Sequence, residues 1–321
     1  MEKVLVTGAA GQLGTELTQQ LTEVYGTEAV IASDINPKAK ATFPYCRFVV
    51  LDVMDRERLR KCIKEENVTQ VYHLAAVLSA SAEKKPLLSW RVNMDSLLHL
   101  LELAREFNLN KLFWPSSIAV FGPDSPKIQT PQQAAKEPVT AYGIAKLAGE
   151  RWCAYYHQQY GVDVRSLRFP GLIGYKALPG GGTTDYAVAI FHQALAGKSF
   201  RSFLRKDTRL PMMYMPDAIK ASLALMQAPK DRISIRSSYN LAAMSFSPEE
   251  LYQGILPYFP EFNITYEPDY RQTIADGWPQ SIDDLEARRD WDWSPDYELP
   301  AMIQEILQEL PKWIQHKKSD L

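Results

Sequence analysis

The chain has 321 residues, of which 46% are hydrophobic and 23% charged, and a formal net charge of −2. These values are ordinary for a globular protein, and with no basic stripe they exclude nucleic acid as a predicted partner. Its three cysteines fit no metal-ligand spacing and no apolar run reaches membrane-spanning length, so we expect a cytoplasmic protein without metal or membrane contact.

In the first half of the chain, short apolar runs alternate with amphipathic stretches. Strands are predicted at 3–8, 29–34, 47–52, 70–76, 111–117 and 162–169, with helices between them. The first helix carries one apolar stripe, formed by Leu13, Leu17, Leu21 and Val24. This alternation predicts the α/β class, with a doubly wound parallel sheet of the Rossmann type.

The pattern changes after about residue 170. Glycine and proline cluster in "LPGGGTTDY", and separate helices or loops follow. We therefore predict a dinucleotide-binding sheet domain over residues 1–170 and a smaller, mostly helical substrate-binding lobe over 171–321. The segment 238–243 is predicted to return to the main sheet as a late strand.

A glycine-rich loop follows the first predicted strand directly. "VTGAAGQLG" places Gly8, Gly11 and Gly14 where a tight turn, a close backbone approach to a pyrophosphate and close helix–strand packing are needed. The phosphates would then lie at a helix N-terminus, which favours anions. We predict a bound dinucleotide, with Gln12 and Leu13 among the residues that bind it.

The ends of the next two strands carry carboxylates. Asp34 comes about twenty residues after Gly14, where it can accept hydrogen bonds from a ribose and repel a 2′-phosphate. NAD is therefore favoured over NADP, although Lys38 stands nearby. Asp52 and Val53 are predicted to flank the adenine, and the alternative for Asp52 is a helix N-cap.

A tyrosine and a lysine lie four residues apart in "TAYGIAKLAGE", so Tyr142 and Lys146 share a helix face. Such a pair is common by chance, but here it follows "TGAAGQLG", "LDV", "HLAA" and "PSSIAVFG" in that order. Together these segments resemble the extended form of the short-chain dehydrogenase/reductase superfamily. The resemblance implies that Ser117, with Ser116 as its neighbour, acts with Tyr142 and Lys146 as the catalytic set. It also implies NAD-binding roles for Leu74, Ala75, Ala76, Asn93 and Leu172.

The second half resembles the L-threonine 3-dehydrogenase branch in "RFPGLIGY", "PGGGTTDYAVAIF", "MYMPDAIKA" and "ADGWPQSIDD". This resemblance implies NAD-dependent oxidation of L-threonine at C3 to L-2-amino-3-oxobutanoate. Two positions depart from the branch pattern: Gly277 stands where serine is expected, and Asp292 where glycine is expected. The predicted substrate-binding residues are Ser79, Ser81, Ser117, Tyr142, Thr183, Thr184 and Trp278.

The implied chemistry needs a base for the hydroxyl proton. A tyrosine has an ordinary pKa of about 10. We expect the Lys146 ammonium and the cationic nicotinamide ring to lower the pKa of Tyr142, which then acts as general base. Ser117 would hydrogen-bond the same substrate oxygen, and Lys146 would also bind the nicotinamide ribose.

The helix from about 142 to 160 has apolar residues on more than one face, which predicts burial against two partners. In the extended family this helix and the one near 90–107 form a four-helix interface, so a homodimer is expected. Two other functions stay open. A nucleotide-sugar epimerase or dehydratase is disfavoured by Pro170 and Gly171, where an asparagine is usual. A non-enzymatic NAD(P)-sensing module is disfavoured because Tyr142 and Lys146 are both present.

Overall fold

The computed structural model describes residues 2–176, 180 and 182–319. Its centre is a seven-stranded sheet in which all neighbouring strands run parallel. With elements numbered in chain order, its strands are β1 (Val4–Thr7), β2 (Val30–Asp34), β3 (Arg47–Val50), β4 (Gln70–His73), β5 (Lys111–Ser117), β6 (Val164–Phe169) and β10 (Tyr239–Asn240). The spatial order β10-β6-β5-β4-β1-β2-β3 confirms the predicted doubly wound sheet. The strand order reverses between β1 and β4, where ligands bind in such folds.

Helices cover both faces of the sheet, so most of its strand residues are buried and apolar residues do not simply alternate with polar ones. Every residue of β1 and of β6 is buried. Strand β6 nevertheless contains Arg165 and Arg168, and both are fully buried. Each forms an ion pair with a buried carboxylate, Asp163 for the first and Glu150 for the second. The sequence analysis did not anticipate these two buried charge pairs.

The helices of the first half flank the sheet on its two faces. They are α1 (Gln12–Tyr25), α2 (Arg56–Glu65), α3 (Ser79–Lys84), α4 (Pro86–Trp90), α5 (Ser96–Glu106) and α6 (Ala141–Tyr160). In α1, Leu17 and Leu21 are fully buried and Leu13 packs at the edge of the core. Val24 is 44% exposed, so the predicted apolar stripe ends one turn earlier than expected.

The predicted helix near 90–107 is not regular. A π-helical turn, Arg91–Asp95, separates α4 from α5. Such turns are rare and frequently lie at functional sites. Here the turn contains Asn93, whose side chain is 3% exposed and points at the loop that follows β4.

The second half contains more strands than predicted. Its helices are α7 (Tyr186–Leu195), α8 (Met215–Gln227), α9 (Pro248–Ile255), α10 (Tyr270–Asp276), α11 (Leu285–Trp291) and α12 (Leu299–Ser319). Its other strands are β7 (Gly171–Ile173), β8 (Phe200–Ser202), β9 (Leu210–Tyr214), β11 (Met244–Phe246) and β12 (Ile264–Tyr266). These strands form a β11-β9-β7 sheet and a β12-β8 pair. The short runs, of three to five residues, gave too little periodicity to be recognised as strands.

The late strand β10 pairs with β6, which confirms that the segment at 238–243 returns to the main sheet. Helix α8 also belongs to the core beneath that sheet, where it packs with α1. The boundary at residue 170 stays a prediction, because the chain beyond it contributes to both cores.

The two departures from the branch pattern are both tolerated by the backbone. Asp292 follows α11 with a φ of 58°, the left-handed region that favours glycine but admits aspartate. Its carboxylate accepts a hydrogen bond from Arg232 Nη1 at 2.8 Å. Gly277 follows α10, and a Cβ there would lie 3.3 Å from the carbonyl oxygen of Ile274, so serine could also stand there with slight crowding.

The chain's longest helix, α12, contains 21 residues and has Pro311 within it. Charged side chains such as Glu305, Glu309 and Lys312 lie along it. No helix within 2–176, 180 and 182–319 combines the length and the apolar character needed to cross a bilayer.

Candidate active site

The glycine loop between β1 and α1 is shaped so that only backbone fits. Gly8 has a φ of +68°, and a Cβ there would lie 2.5 Å from the backbone nitrogen of Ala75. A Cβ at Gly14 would lie 2.4 Å from the carbonyl oxygen of Gly8. At Gly11 a Cβ would lie 3.3 Å from the carbonyl oxygen of Gly8, a tighter contact than usual but less severe than those at Gly8 and Gly14. The loop and the first turn of α1 therefore form a cradle that fits a dinucleotide pyrophosphate.

Asp34 lies beside this loop at the end of β2. Its Oδ2 accepts a hydrogen bond from the backbone N–H of Ala10 at 3.1 Å, and its Oδ1 accepts one from Asn36 at 3.0 Å. The carboxylate is thus fixed next to the phosphate-binding loop, as a contact to the adenosine ribose requires. Lys38 is exposed and donates its backbone N–H to the side chain of Asn36.

The residues after β3 do not form the helix N-cap that was one alternative for Asp52. Asp52 Oδ1 accepts a hydrogen bond from the backbone N–H of Met54 at 2.9 Å, while Asp55 is the N-cap of α2. The capping interpretation of Asp52 is therefore wrong, because the cap is Asp55, three residues later, and the helix begins at Arg56. Val53 is 7% exposed and is buried in the other core, on the face of the sheet opposite α1 and α8.

A cavity of about 250 Å³ opens at the carboxyl ends of β1, β4, β5 and β6. The predicted residues that line it are Gly8, Gly11, Gln12, Leu13, Gly14, Leu74, Ala76, Ser79, Ser117, Tyr142, Lys146, Leu172, Thr183, Thr184 and Trp278. The predicted residues outside its lining are Asp34, Asp52, Val53, Ala75, Asn93 and Ser81. The phosphate cradle, the tyrosine–lysine pair and the threonines of the second half therefore face one space.

The catalytic candidates are held by the start of α6 and the end of β5. Thr140 caps α6, because its Oγ1 accepts the backbone N–H of Gly143 at 3.0 Å. This cap places Tyr142 in the first turn, facing the cavity. Lys146 is one turn further on, and its Nζ donates to the carbonyl oxygen of Pro115 at 2.6 Å. The same Nζ lies 4.5 Å from the ring centroid of Trp114 and 5.5 Å from that of Tyr142.

Burial dominates the acid–base properties of this pair. It raises the pKa of Tyr142 to about 12, although the neighbouring Ser117 hydroxyl favours the phenolate. Burial also lowers the pKa of Lys146 to about 7, while the nearby Cys153 and Glu150 oppose this change. The expectation that the lysine ammonium lowers the pKa of Tyr142 is therefore wrong for the protein as it stands. Removing a phenolate from water costs more than the ammonium returns.

The two serines at the end of β5 have different partners. Ser117 Oγ accepts a hydrogen bond from the backbone N–H of Ala119 at 3.2 Å and remains beside Tyr142. Ser116 donates its hydroxyl to Glu150 Oε1 at 2.7 Å. Of the two serines, Ser117 is therefore the one whose hydroxyl lies beside Tyr142 in the cavity.

The loop after β4 is held at both ends. The side-chain amide of Asn93 accepts a hydrogen bond from the N–H of Val77 at 2.8 Å and donates one to its carbonyl oxygen at 3.1 Å. Glu83 Oε1 accepts the N–H of Ala141, the first residue of α6, at 2.7 Å. Between them Ser79 lines the cavity, whereas Ser81 is exposed on the outer side of α3. Asn93 therefore supports the loop that lines the cavity but does not line the cavity itself.

The far wall of the cavity comes from the second half. Thr183 is 1% exposed, and its Oγ1 has no hydrogen-bond partner among the residues that the structure describes. Asp185 also lines the cavity, with its Oδ2 accepting the N–H of Gly182 at 2.7 Å. Trp278 is 7% exposed, and its carbonyl oxygen accepts a hydrogen bond from Lys127 Nζ at 3.3 Å.

Several lining residues were not predicted from the sequence, among them Asp185, Leu78, Ile118, Phe169 and Pro170. One signal was available for Asp185, because it follows the glycine and threonine run and directly precedes α7. The apolar residues gave no signal, since a lining side chain and a core side chain look alike in sequence.

Comparisons with known proteins give consistent results. A family model described as "NAD dependent epimerase/dehydratase family" matches residues 4–242. An uncharacterized epimerase/dehydratase from Staphylococcus aureus (strain USA300) is 46% identical over 96% of each chain. The holo structure of a GalE-like L-threonine dehydrogenase from Cupriavidus necator is 52% identical, with a TM-score of 0.94 over 96% of this chain and 99% of that one. A monomeric L-threonine 3-dehydrogenase from a metagenome database is 48% identical, with a TM-score of 0.92 over the same shares.

Proposed function

Because this chain belongs to the NAD dependent epimerase/dehydratase family, the extended short-chain dehydrogenases, we propose that it oxidises L-threonine at C3 to L-2-amino-3-oxobutanoate with NAD. The observation that carries the proposal is a single cavity that joins the glycine cradle, the pair Tyr142 and Ser117, and the buried Thr183. Solved structures similar over nearly the whole chain have this activity in their names.

In the proposed reaction the glycine cradle would hold NAD, which would supply the acceptor for the hydride from C3. The chain's own residues handle the proton and the position of the substrate. Tyr142 Oη accepts the hydroxyl proton as general base, and Ser117 Oγ donates a hydrogen bond to the same oxygen. In the productive form Tyr142 is a phenolate and Lys146 is an ammonium. The pair then carries one proton fewer than when both groups are protonated. Burial sets the pKa of Lys146 to about 7, so the pair loses its first proton as pH rises through that value. The phenolate–ammonium form is the minor arrangement of this singly protonated pair, and activity should rise as the singly protonated pair becomes populated.

The cavity suits a small amino acid. Asp185 is the acidic side chain in its described lining, and the unpartnered hydroxyl of Thr183 supplies a polar contact. A carboxylate there favours the substrate's ammonium group. Pro170 and Gly171 also line the cavity, and neither can hydrogen-bond a sugar through its side chain. These residues support L-threonine over the alternative, a nucleotide sugar.

The direct test is a spectrophotometric assay with purified protein. With L-threonine and NAD, absorbance at the NADH band is expected to rise in proportion to enzyme concentration. With UDP-glucose and no added NAD, an epimerase would convert the sugar without net NADH. Sugar conversion together with a flat NADH signal would refute the proposal in favour of the alternative.

We expect a change of Thr183 to valine to separate binding from stability. Valine has nearly the same shape but no hydroxyl, and the lost hydroxyl has no partner among the described residues. The melting temperature should therefore stay the same or rise, since an unpaired buried hydroxyl is unfavourable. KM for L-threonine should increase about tenfold, as expected for one lost hydrogen bond in a buried site. A fall in melting temperature with unchanged KM would show a purely structural role.

Cofactor choice is expected to depend on Asp34. We propose that its carboxylate contacts the adenosine ribose and repels the 2′-phosphate of NADP. The change Asp34→Asn removes this charge while keeping one acceptor for the loop. The ratio of kcat/KM with NAD to that with NADP should fall by at least about tenfold, because a like-charge contact is lost. An unchanged ratio would place the ribose elsewhere.

We further propose a homodimer formed through the helices near 90–107 and 142–160. Large apolar side chains are exposed along these helices, including Trp90, Ile144, Trp152 and Tyr155, each 41–48% exposed. The helices that carry these side chains pack against one another, and large exposed apolar side chains gathered in one region are typical of an interface. Light scattering at micromolar concentration should give twice the chain mass, and Trp152→Glu should halve it. A monomer mass for the unchanged protein, as in the monomeric metagenome enzyme, would rule this out.

A further inference from the structure

We propose that Glu150 is a positioning residue for the reaction. It binds Ser116 and Arg168 within a buried network, fixes the end of β5 against α6, and thereby holds Ser117 and Lys146 in register around the cavity. The inference rests on the proposed function for its kinetic consequences.

Glu150 is fully enclosed and fully paired. It is 1% exposed, and its Oε1 accepts hydrogen bonds from Ser116 Oγ at 2.7 Å and from Arg168 Nε at 2.8 Å. Its Oε2 accepts a second bond from Arg168, from Nη2 at 2.8 Å. The two parallel bonds to the guanidinium fix the plane of the carboxylate, so its remaining contact with Ser116 has a defined direction.

Two residues of α6 thereby hold two consecutive residues of β5. Lys146 and Glu150 are four residues apart and so lie on one helix face. The first donates to the carbonyl oxygen of Pro115, and the second accepts from the side chain of Ser116. The next residue of the strand is Ser117. Because its two predecessors are tied to the helix, its distance from Tyr142 depends on both ties.

Arg168 extends this network toward the second half of the chain. Its Nη1 donates to Asn240 Oδ1 at 2.9 Å and to the carbonyl oxygen of Gln132 at 3.2 Å. Asn240 in turn donates to the carbonyl oxygen of Asp283 at 3.0 Å. The position of the carboxylate is therefore fixed from β6, from β10 and from the segment that follows Trp278.

A buried ion pair is not by itself evidence of a catalytic contribution, because such pairs are often no better for stability than apolar residues. The same strand supplies a matched comparison. Arg165 pairs with Asp163 at 2.9 Å, and its Nη1 donates to the carbonyl oxygens of Leu225 and Ala228 at 2.6 Å. This second pair lies at the opposite end of β6 from the cavity. Asp163 also pairs with Arg236 at 2.6 Å, so its loss removes two ion pairs and is at least as severe for stability as loss of Glu150. Only Glu150 is next to the site.

The experiment compares Glu150→Gln, Asp163→Asn and Ser116→Ala with the unchanged enzyme. Both carboxylate changes should lower the melting temperature. Only Glu150→Gln should also lower kcat for L-threonine, by about 10- to 100-fold, the effect of a small misplacement of reacting groups. Ser116→Ala keeps the ion pair intact, so it should fold normally and still lower kcat several-fold. Asp163→Asn should leave kcat within about twofold.

A pH profile adds a readout that a loss of stability would not move. The titratable groups that face Lys146 are Tyr142, Glu150 and Cys153 on α6 and His73 on β4. The negative charge of Glu150 raises the pKa of Lys146, so its removal makes the first proton of the tyrosine–lysine pair easier to lose. The acid limb of kcat/KM should therefore move to lower pH in Glu150→Gln and stay in place in Asp163→Asn.

The outcomes remain decisive if one variant or the proposed function fails. If Glu150→Gln does not fold, the kcat of Ser116→Ala decides, and an unchanged kcat overturns the inference. If the unchanged protein does not oxidise L-threonine, the proposed function is wrong. The positioning role of Glu150 is then tested by NAD affinity. Calorimetry should then show a dissociation constant raised about three- to tenfold in Glu150→Gln but not in Asp163→Asn. Equal losses in both carboxylate variants would show that Glu150 is structural only.

Discussion

The change Tyr142→Phe is expected to lower kcat for L-threonine oxidation by about 10² to 10⁴, the usual contribution of a general acid–base group. The phenol lies in the first turn of α6 beside Ser117, and phenylalanine keeps its ring while removing the only atom that could take the proton. Because the ring and its packing remain, the protein should fold as before. NAD affinity, measured by calorimetry, should change less than about threefold, since most of the predicted cofactor-binding residues are other than Tyr142 and phenylalanine keeps the ring.

A matched control is Tyr258→Phe, which removes a phenol that is 51% exposed and outside the cavity lining. It should leave kcat and KM unchanged. If Tyr142→Phe retained more than about a tenth of the activity, another group or water would have to be the base. The proposed role of the tyrosine would then be withdrawn.

The change Gly8→Ala is expected to abolish measurable NAD binding and to destabilise the protein strongly. An added Cβ would meet the backbone of Ala75 at 2.5 Å, and the φ of +68° is unfavourable for any residue with a side chain. Neither obstacle can be relieved by a side-chain rotation, because the contacted atoms are backbone of the loop that follows β4. The glycine loop would have to move away from the position in which it can cradle phosphates. Thermal unfolding and NAD titration together measure both effects.

The control for Gly8 is Gly161→Ala. Gly161 ends α6 with a φ of +71°, but a Cβ there would have nothing within 4 Å. This change should therefore cost only the backbone term, about 1 kcal/mol, and leave NAD binding intact. If Gly8→Ala were no worse than Gly161→Ala, the close approach at Ala75 would not be essential for binding.

The sequence predicted the sheet and the cavity well because both depend on local patterns. Apolar runs bounded by turns gave the seven strands, and the spacing of Gly8, Gly11 and Gly14 predicted a loop that the structure shows to admit only backbone. The late strand near 238–243 was predicted to return to the main sheet, and β10 pairs there with β6. Motif order, rather than any single motif, brought Ser117, Tyr142 and Lys146 together in one site.

Other features depend on contacts between distant parts of the chain, which no local pattern records. The expectation for the pKa of Tyr142 counted only neighbouring charges, because the depth of burial that raises this pKa to about 12 is not visible in the sequence. The choice between Ser79 and Ser81 required the orientation of α3, and Asp185 required the position of the loop before α7. The partners of Glu150 come from three other elements, so its network could not be foreseen.

The π-helical turn at Arg91–Asp95 has a consequence for comparing this protein with its relatives. Each residue of an α-helix turns the chain by about 100°. A relative that is one residue shorter between Trp90 and Ser96 would therefore point the side-chain amide that corresponds to Asn93 in a different direction. The two hydrogen bonds between this amide and the backbone of Val77 would then be lost, and with them the fixed position of Ser79. A single-residue gap at this place in an alignment would therefore mark enzymes whose substrate loop is held by some other means.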